Sequence, residues 1–392
     1  MISLQERLVD AALCLKGTAT KPGEHHILAC YPFVQGNPFQ RMQYAAGMQA
    51  GCATLALDDY RGISAPLDDV PLLVHYHWVH GLLATAASPD QAQQMVGDFL
   101  DHVDRQRQNG CRILWTVHNI LSHAGKFHTE ECQLRAGLAD RADHLHIMNP
   151  DSVQLCAPKY RLDPSKIISV PHPSYSGVYG SYMDAGQARL DLGLLPGDKA
   201  LLLFGAMGPH KGILRLLSML DRLQDVMAGR IKLFVVGRAG TSDFMEELRQ
   251  AVAGRADVRV DARSVDDQTL QLYFKAADAV ICPYPRVLNS GVAMTAASYG
   301  RPVIVPQALE PVFSGAPGLA HSFDPGNFET VIAAMLAAFI AGADAGSRQG
   351  FRAWAQKRNP AVISRAFFAE LLGKNQLQSK NQKHSKNTER HQ

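Results

Sequence analysis

Short apolar segments alternate with amphipathic segments along most of the chain. In the first half, six apolar runs are typical of strands buried in a parallel sheet. They lie at residues 26–31, 53–57, 71–77, 112–118, 144–148 and 167–170. The clearest helical pattern covers residues 88–108, where Ser88 can cap the first turn and Pro89 suits it, and a second one covers residues 129–141. Strands that alternate with helices in this way predict a parallel α/β sheet.

A stretch rich in Pro, Gly and Tyr at residues 170–180 interrupts the alternation, which restarts near residue 200. Strands are predicted at residues 200–205, 231–236, 258–261, 278–283 and 302–306, and helices at 212–223, 242–253, 266–276 and from 291 onward. The second alternation predicts a second sheet, and so an α/β protein with two Rossmann-like domains. We expect these domains over residues 1–180 and 181–345, a helix over 346–373 that packs back on the first domain, and a disordered basic tail over 374–392.

Length and composition agree with two water-soluble domains. The 392 residues, 46% of them hydrophobic, exceed the roughly 250–300 residues that one hydrophobic core supports. The seven cysteines are scattered and form no CxxC, which is typical of a reducing compartment and of neither a zinc site nor a disulfide framework. The N terminus lacks a signal-peptide pattern, and the longest apolar run, residues 331–341, is shorter than the ~20 residues of a membrane helix. These features favour a cytoplasmic protein.

The net charge of +3 is concentrated at the C terminus. Residues 374–392 carry five Lys or Arg against Glu389, so the rest of the chain has a net charge of −1. Because this part of the chain carries no excess of positive charge, we expect no nucleic-acid partner. The tail is too polar to bury a core, and it is either a solvated end or a segment weakly attracted to anionic lipid.

Three strand ends in the second half carry groups that suit phosphate binding. Ligands of open parallel sheets bind outside the carboxyl ends of the strands, where loop amides and helix N termini collect. The candidates are Gly208, Lys211, Gly237, Arg238, Arg286, Asn289, Ser290 and Gly291. Each segment alone also fits an ordinary surface lysine, glycine turn or helix cap. Together they predict a site for a nucleotide diphosphate, and because the chain has no Asp-x-Asp motif we expect neither a metal nor a cofactor in it.

The order of motifs resembles the GT-B glycosyltransferases, and in particular the bacterial exopolysaccharide, xanthan-type GDP-mannose:glycolipid β-mannosyltransferases. The matching segments are residues 37–39, 75–78, 116–119, 172–175, 205–212 and 289–303, within a resemblance that covers roughly residues 27–310. The resemblance implies two sheets that face a central cleft. It also implies transfer of a sugar from a GDP- or UDP-linked donor to a lipid-linked saccharide acceptor, with peripheral contact at the inner face of the membrane.

The same resemblance implies roles for single residues. Lys211, Ser290 and Gly291 would meet the diphosphate, and Val265 begins a stretch similar to the one that leads into the base pocket. Related retaining enzymes carry two glutamates around the helix that corresponds to the one predicted from residue 291 onward. This chain has Val287 and Thr295 at those two positions. Their arginine before the Lys-Gly pair corresponds to Ala206. These departures leave open both the stereochemical outcome and the usual ribose contact.

The first half supplies candidate proton-transfer groups. His75 and His77 alternate on one strand and so share a face, with Trp78 on the other. His118 ends the next strand, and an imidazole can take a proton from an acceptor hydroxyl. We predict His118 or His77 as the catalytic base.

The acceptor side of the site is predicted to include His75, Trp78, His172 and Tyr175. A metal-binding histidine pair and histidines that only make local hydrogen bonds are the alternatives for this cluster. For the whole protein, the alternatives are a nucleotide-sugar epimerase and a non-catalytic nucleotide-sugar-binding subunit.

Overall fold

The computed structural model describes residues 3–17, 25–66, 70–122, 125–227 and 230–389, with side chains described up to residue 374. The chain divides into two compact units: Met1–Pro173 together with Pro360–Gln392, and Ser174–Asn359. Each unit contains one six-stranded sheet in which all pairs are parallel. The prediction of an α/β fold with two parallel sheets is therefore confirmed.

The sheet of the first unit has the strand order β2-β1-β3-β4-β5-β6. Its strands are β1 (His26–Tyr31), β2 (Cys52–Ala56), β3 (Leu72–Tyr76), β4 (Arg112–Thr116), β5 (His144–Ile147) and β6 (Ile167–Ser169). The helices of this part of the chain are α1 (Leu4–Lys16), α2 (Phe39–Gln43), α3 (Pro89–Gln108), α4 (His128–Arg141) and α5 (Ser152–Cys156). Strand β3 is buried at every position, because both faces of a parallel sheet are covered by helices and loops. Edge strand β2 is partly exposed, since it has a neighbour on one side only.

The sheet of the second unit has the order β12-β11-β10-β7-β8-β9. Its strands are β7 (Lys199–Phe204), β8 (Ile231–Val236), β9 (Val258–Asp261), β10 (Ala279–Ile281), β11 (Val303–Pro306) and β12 (Ala320–Phe323). Its helices are α6 (Ala185–Asp191), α7 (Ile213–Val226), α8 (Ser242–Ala251), α9 (Asp267–Ala276), α10 (Gly291–Ser298), α11 (Thr330–Ala343) and α12 (Ala345–Gln356). Helices α6 and α11 and strand β12 are additions to the predicted elements. The leucines of α7 and the apolar face of α11 form one buried core with the strands between them.

The last helix, α13 (Pro360–Glu389), belongs to the first unit. Its side chains Ile363, Phe367, Phe368 and Leu371 are buried among strand residues of the first sheet, including Leu28 and Leu114. The predicted helix over 346–373 is thus two helices, and the break coincides with Pro360, which suits a first helical turn and not an interior. The first of the two segments that form the first unit ends at residue 173, seven residues before the predicted boundary.

Residues 374–392 were predicted to be disordered. In the structure, helix α13 continues through this segment to Glu389. A helix already anchored by buried aromatic residues has overcome the nucleation cost, and Lys and Gln extend it readily. Residues 390–392 of that tail lie outside the described part of the chain.

Within the described ranges, no single helix is long and apolar enough to cross a bilayer. Helices α11 and α12 reach that length and composition only as a pair, and they are bent by 95°.

Candidate functional site

The loops after β7, β8 and β10 lie in direct backbone contact at the carboxyl edge of the second sheet. A Cβ atom on Gly237 would lie 2.2 Å from the carbonyl oxygen of Gly205, and one on Gly212 would lie 2.1 Å from that of Pro283. The φ angles of Gly237 and Gly212 are 145° and 67°, which L side chains rarely adopt. Glycine is therefore required at both positions for the three loops to close on one another.

Lys211 lies where these loops meet. Its Nζ is 3.4 Å from the hydroxyl of Tyr284 and 4.4 Å from the centroid of that ring. A Cβ on Gly205 would lie 3.5 Å from the same Nζ. Burial lowers the pKa of Lys211, and the nearby Cys282 opposes this shift. A partly desolvated ammonium attracts an anion more strongly than one in bulk water, because the effective dielectric constant is lower.

Helix α10 begins beside Lys211. Ser290 caps it by accepting a hydrogen bond from the backbone N–H of Ala293 at 3.3 Å, and its Oγ lies 3.7 Å from Sγ of Cys282. Gly291 follows directly, and a Cβ there would lie 2.7 Å from the hydroxyl of Tyr175. The unpaired amides of a first helical turn bind anions, so this end of α10 suits a diphosphate.

Tyr175 lies in the second unit, where its N–H donates to Oγ of Ser298 at 2.9 Å. It was predicted on the acceptor side, but this bond holds its backbone to α10. Its ring stacks on Tyr179 with centroids 5.1 Å apart. We therefore assign Tyr175 to the neighbourhood of the predicted donor residues.

The other predicted donor residues lie on several loops and on helix α10 of the second unit, and they differ in exposure. Arg238 and Arg286 are exposed, and Val265 is half-buried just before α9. The remaining ones occupy defined backbone positions: Gly208 is extended with φ 174°, Asn289 precedes the cap, and Thr295 donates its hydroxyl hydrogen to the Gly291 carbonyl at 2.9 Å. Lys211 and Ser290 share one neighbour, Cys282, which acts on the Lys211 charge and lies 3.7 Å from the Ser290 hydroxyl, and Gly291 follows Ser290.

In the first unit, the ends of β3, β4 and β5 carry a buried cluster of imidazoles. The rings of His75 and His77 have centroids 4.1 Å apart, on one face as predicted from strand alternation. Nδ1 of His77 lies 2.9 Å from Nε2 of His118, and Nε2 of His77 lies 2.6 Å from the hydroxyl of Tyr44. Both nitrogens of His77 are therefore engaged inside the cluster.

The hydrogen bonds continue on the other side of Tyr44. The Tyr44 hydroxyl is 2.7 Å from Nδ1 of His75, whose Nε2 is 2.7 Å from Oγ1 of Thr116. Oγ1 of Thr116 is in turn 3.0 Å from Nδ1 of His146. The result is one chain of hydrogen bonds that joins His118 to His146 through residues in or just after three adjacent strands and through Tyr44, which directly follows α2.

Burial keeps these imidazoles neutral. Burial, reinforced by neighbouring imidazoles, holds the pKa of His75, His77 and His118 well below the usual value. Burial also lowers the pKa of His146 and of His172 to about 4. Each ring therefore has one N–H and one lone pair near pH 7, so each can donate one hydrogen bond and accept another.

Aromatic rings enclose the His118 end of the chain. Trp78 stacks on His118 with centroids 4.1 Å apart, although strand alternation predicted it on the opposite face from His75 and His77. The reason is that β3 ends at Tyr76, so alternation no longer applies at residue 78. Phe39 contacts both His118 and His172, at centroid distances of 4.9 and 5.0 Å.

His172 makes a hydrogen bond that fixes its protonated nitrogen. Its Nδ1 lies 2.7 Å from the carbonyl oxygen of Pro173, so Nδ1 must be the donor and Nε2 carries the lone pair. Across the described ranges, no group of three or more His, Cys, Asp or Glu could hold a metal ion. The histidines of this cluster contact one another instead.

Sequence reasoning did not find Tyr284, Tyr44, Thr116 and His146 as parts of these two sites. A signal for the last two exists, since β3, β4 and β5 each end in alternating polar residues: His75 and His77, Thr116 and His118, His144 and His146. In neighbouring parallel strands such residues can share one face. No comparable signal marks Tyr44, which comes from outside the sheet.

Comparisons with known proteins agree with this architecture. Residues 198–339 match the family model described as "Glycosyl transferases group 1". A GDP-mannose:glycolipid 4-beta-D-mannosyltransferase of Xanthomonas campestris pv. campestris is 26% identical over 235 residues, 60% of this chain and 61% of that protein. A D-inositol 3-phosphate glycosyltransferase of Segniliparus rotundus is 31% identical over 188 residues, 46% of this chain and 41% of that protein. The chain therefore matches less than two thirds of the length of either relative.

Solved structures share the fold. Anabaena HepE in complex with UDP superposes with a TM-score of 0.62 at 16% identity, covering 89% of this chain and 100% of that one. Sucrose-phosphate synthase from Thermosynechococcus elongatus gives a TM-score of 0.59 at 14% identity, covering 92% and 99%. These neighbours have the GT-B fold, so the predicted resemblance is confirmed. The residues that match the group 1 glycosyl transferase model, 198–339, include Lys211, Ser290 and Gly291.

Proposed function

We propose that the protein is a glycosyltransferase that moves a hexose, with mannose as the first candidate, from a nucleotide-sugar donor to a saccharide acceptor. The observation that carries this proposal is the closure of three strand-end loops around Lys211 and the start of α10, inside the group 1 glycosyl transferase domain. The mannosyltransferase similarity suggests GDP-mannose as donor. The UDP complex of the structural neighbour makes UDP-sugars the second class to test.

Binding of the donor rests on the second unit. The Lys211 ammonium and the first amides of α10 would face the diphosphate, with Ser290 holding the helix end in place. As the bond between the anomeric carbon and the diphosphate oxygen breaks, negative charge grows on that oxygen. Fixed donors and a desolvated cation stabilise such a charge without reorganisation, and this is usually the largest catalytic contribution.

Activation of the acceptor rests on the first unit. The acceptor oxygen forms the new bond to the anomeric carbon, and its proton passes to a base. We propose His118 as that base and not His77, because His77 uses both nitrogens within the cluster. Trp78 stacks on His118, and His172 contacts Phe39, which also contacts His118. Trp78 and His172 would therefore border the acceptor.

The acceptor and the cellular location are further parts of the proposal. Similarity to a protein named as a glycolipid mannosyltransferase supports a lipid-linked saccharide acceptor and a role in exopolysaccharide or surface-glycan synthesis. Such an acceptor would bring the protein to the inner face of the membrane from the cytoplasm.

The first test is binding, measured by thermal unfolding with GDP, UDP, ADP and the matching nucleotide sugars. A ligand of the folded state raises Tm by mass action, by an amount that corresponds to about 2.7 kcal/mol at one hundred times Kd. We expect one nucleotide class to stabilise the wild type and to lose its effect in Lys211→Ala. The matched control is Lys199→Ala, which changes a lysine at the opposite end of β7. No shift with any nucleotide at millimolar concentration contradicts the donor site.

A non-catalytic nucleotide-sugar-binding protein is the second candidate. The observation that favours it is that the Thr295 hydroxyl donates to the Gly291 carbonyl, at one of the two positions, Val287 and Thr295, where the resemblance implies glutamates in related retaining enzymes. This candidate predicts donor binding without product formation for every acceptor. A product assay with the donor found above separates the two candidates, and release of an altered sugar without acceptor would indicate the epimerase alternative.

A further inference from the structure

The segment that follows β4, residues 117–122, is tied to helix α4 by a buried ion pair. Glu131 and Arg135 lie one helical turn apart on α4, and 2% of each residue is exposed. Nε of Arg135 donates to Oε1 of Glu131 at 2.9 Å, and one terminal nitrogen of the guanidinium donates to the same oxygen at 2.7 Å. The planar guanidinium is thereby held in one orientation, because two of its N–H groups reach the same carboxylate oxygen.

The other terminal nitrogen of Arg135 reaches the segment that carries His118. It donates to the backbone carbonyl oxygen of Asn119 at 2.8 Å. On the other side of His118, the backbone N–H of Val117 donates to the carbonyl oxygen of His146 at 3.0 Å. The backbone is therefore held one residue before His118 and one residue after it.

Glu131 holds the same segment at a further point. Its Oε1 accepts a hydrogen bond from the backbone N–H of Ser122 at 2.8 Å, and its Oε2 accepts one from the Ser122 hydroxyl at 2.5 Å. Burial by itself raises the pKa of Glu131, but the charge of Arg135 and the hydrogen bonds from Ser122 outweigh it and leave the pKa below its usual value. Near pH 7 the buried carboxylate is therefore charged, and both of its oxygens accept hydrogen bonds.

The ion pair also limits the electric field at His118. The positive charge of Arg135 is one of the causes that lower the pKa of His118, after burial and the neighbouring imidazoles. The carboxylate of Glu131, 2.7 Å from the guanidinium, offsets that charge. The pair can thus orient the backbone beside a neutral imidazole with a weaker field than an arginine alone would exert.

We propose that Glu131 and Arg135 are positioning residues for sugar transfer, which fix the backbone of the segment that carries His118 and so the point at which its imidazole meets the acceptor hydroxyl. This inference rests on the proposed role of His118 as the base. The hydrogen bonds that carry it end on Asn119 and Ser122, so they do not depend on the tautomer of any histidine. A misplacement of about 1 Å costs ~10²-fold in rate, so anchors of this kind affect catalysis without contact with the substrate.

The test replaces the whole pair by apolar side chains, Glu131→Leu together with Arg135→Met. Such a replacement of a buried ion pair often leaves stability unchanged or raises it, whereas removal of one partner leaves a buried charge unpaired. The double variant therefore removes the anchors and keeps the interior packed. We expect kcat to fall by ~10- to 100-fold. The donor KM should stay within about twofold of the wild type, because the donor residues lie in the second unit.

The matched control makes the same exchange at another ion pair of α4. Arg141 donates to Asp104 of α3 from Nε at 2.9 Å and from a terminal nitrogen at 2.8 Å, away from residues 117–122. Asp104→Leu together with Arg141→Met should keep kcat within about twofold of the wild type.

A single substitution keeps the test open if the double variant does not fold. Arg135→Lys retains the positive charge beside Glu131 but lacks the planar fork that reaches Glu131 and Asn119 together. We expect its kcat to fall by about tenfold or more, again with little change in donor KM.

Hydrogen exchange of the backbone amides of residues 119–122 measures the anchoring without any substrate. We expect this exchange to be about tenfold faster or more in the anchor variants than in the wild type and the control, since the segment then opens more easily. The proposal requires both changes, so faster exchange with a wild-type kcat, or a lower kcat with wild-type exchange, overturns it. If the wild type binds no nucleotide and transfers no sugar, the transferase proposal fails, while the exchange rates still decide whether the pair fixes this segment.

Discussion

The ammonium of Lys211 lies over the ring of Tyr284, with Nζ 4.4 Å from the ring centroid. Burial raises the pKa of Tyr284 well above its usual value, so the ring stays neutral beside the cation. The pair places a cation near the N terminus of α10, and the partner of the ammonium in this pair is an aromatic ring and not a carboxylate. A diphosphate can therefore be the counter-ion of Lys211.

Changes at Tyr284 should separate the role of the ring from that of its hydroxyl. Tyr284→Leu removes the cation–π contact, worth ~0.5–2 kcal/mol, and so should weaken nucleotide binding by about 2- to 30-fold. Tyr284→Phe keeps the ring and should bind nearly as the wild type does. Isothermal titration calorimetry with the nucleotide found in the thermal screen measures both. Equal affinity of the Leu variant and the wild type would show that the ring does not position Lys211.

The affinity for that nucleotide should fall as the pH rises on the alkaline side. Burial lowers the pKa of Lys211 in the free protein, and a bound diphosphate favours the charged form, so binding takes up a proton once the free lysine is deprotonated. Affinity is then lost as the pH rises through this lowered pKa, below the usual lysine range. Lys211→Arg, which stays charged, should bind with little pH dependence over the same range. Parallel pH profiles for both proteins would contradict this assignment.

Substitution of Gly212, which contacts another loop, should destabilise the protein more than substitution of Gly254, which has a similar φ and no such contact. Gly212→Ala and Gly254→Ala both place Ala at positive φ, 67° and 75°, which costs roughly 1–2 kcal/mol. Only at residue 212 does the new Cβ meet a backbone oxygen, at 2.1 Å, whereas at residue 254 nothing lies within 4 Å. We expect Gly212→Ala to lose a further ~1–3 kcal/mol of unfolding free energy and nucleotide binding. Chemical denaturation measures the difference, and equal losses would mean that the loops adjust.

The buried histidines should make the protein sensitive to mild acid. Burial lowers the pKa of His146 and His172 to about 4, below the usual histidine value of about 6.5. The unfolded chain therefore binds protons that the folded chain does not, and stability present above pH 6.5 is lost as the pH falls toward 4. The free energy of unfolding of the wild type should therefore decrease as the pH is lowered from 6.5 to 4. In His146→Gln the slope should be smaller by up to about 1.4 kcal/mol per pH unit, the value for one proton. An unchanged slope would show that His146 is not buried and neutral.

The two halves of α13 should contribute very differently to stability. Phe367 is fully buried against His75 and His146, so Phe367→Ala should cost about 3–5 kcal/mol, as for other large cavities. Removal of residues 375–392, a segment whose sequence is polar except for Leu377, should leave Tm nearly unchanged. Thermal unfolding of the two variants checks this. A large loss of Tm on truncation would mean that the polar end of the helix has a packing role.

Much of the architecture could be predicted because it depends on patterns of residues that are close together in the sequence. The run at residues 26–31 and the run at 231–236 coincide with β1 and β8, since a strand buried on both faces is apolar at most of its positions. Helix α3 was marked by Ser88 and Pro89 for the same kind of local reason, a cap and a first-turn proline. The end of α13 escaped prediction because a helix that has been nucleated elsewhere can extend through residues with no apolar pattern of their own.

The chain by itself determined the α/β class, the two sheets and the glycine, lysine and serine that follow the strands of the second one, because each depends on residues close in sequence. Only the tertiary structure decided that Tyr44 stands between His75 and His77, that His146 anchors them from β5, and that Tyr284 lies under Lys211. These contacts join residues far apart in the chain. They depend on strand order, register and the path of loops, which no local pattern encodes.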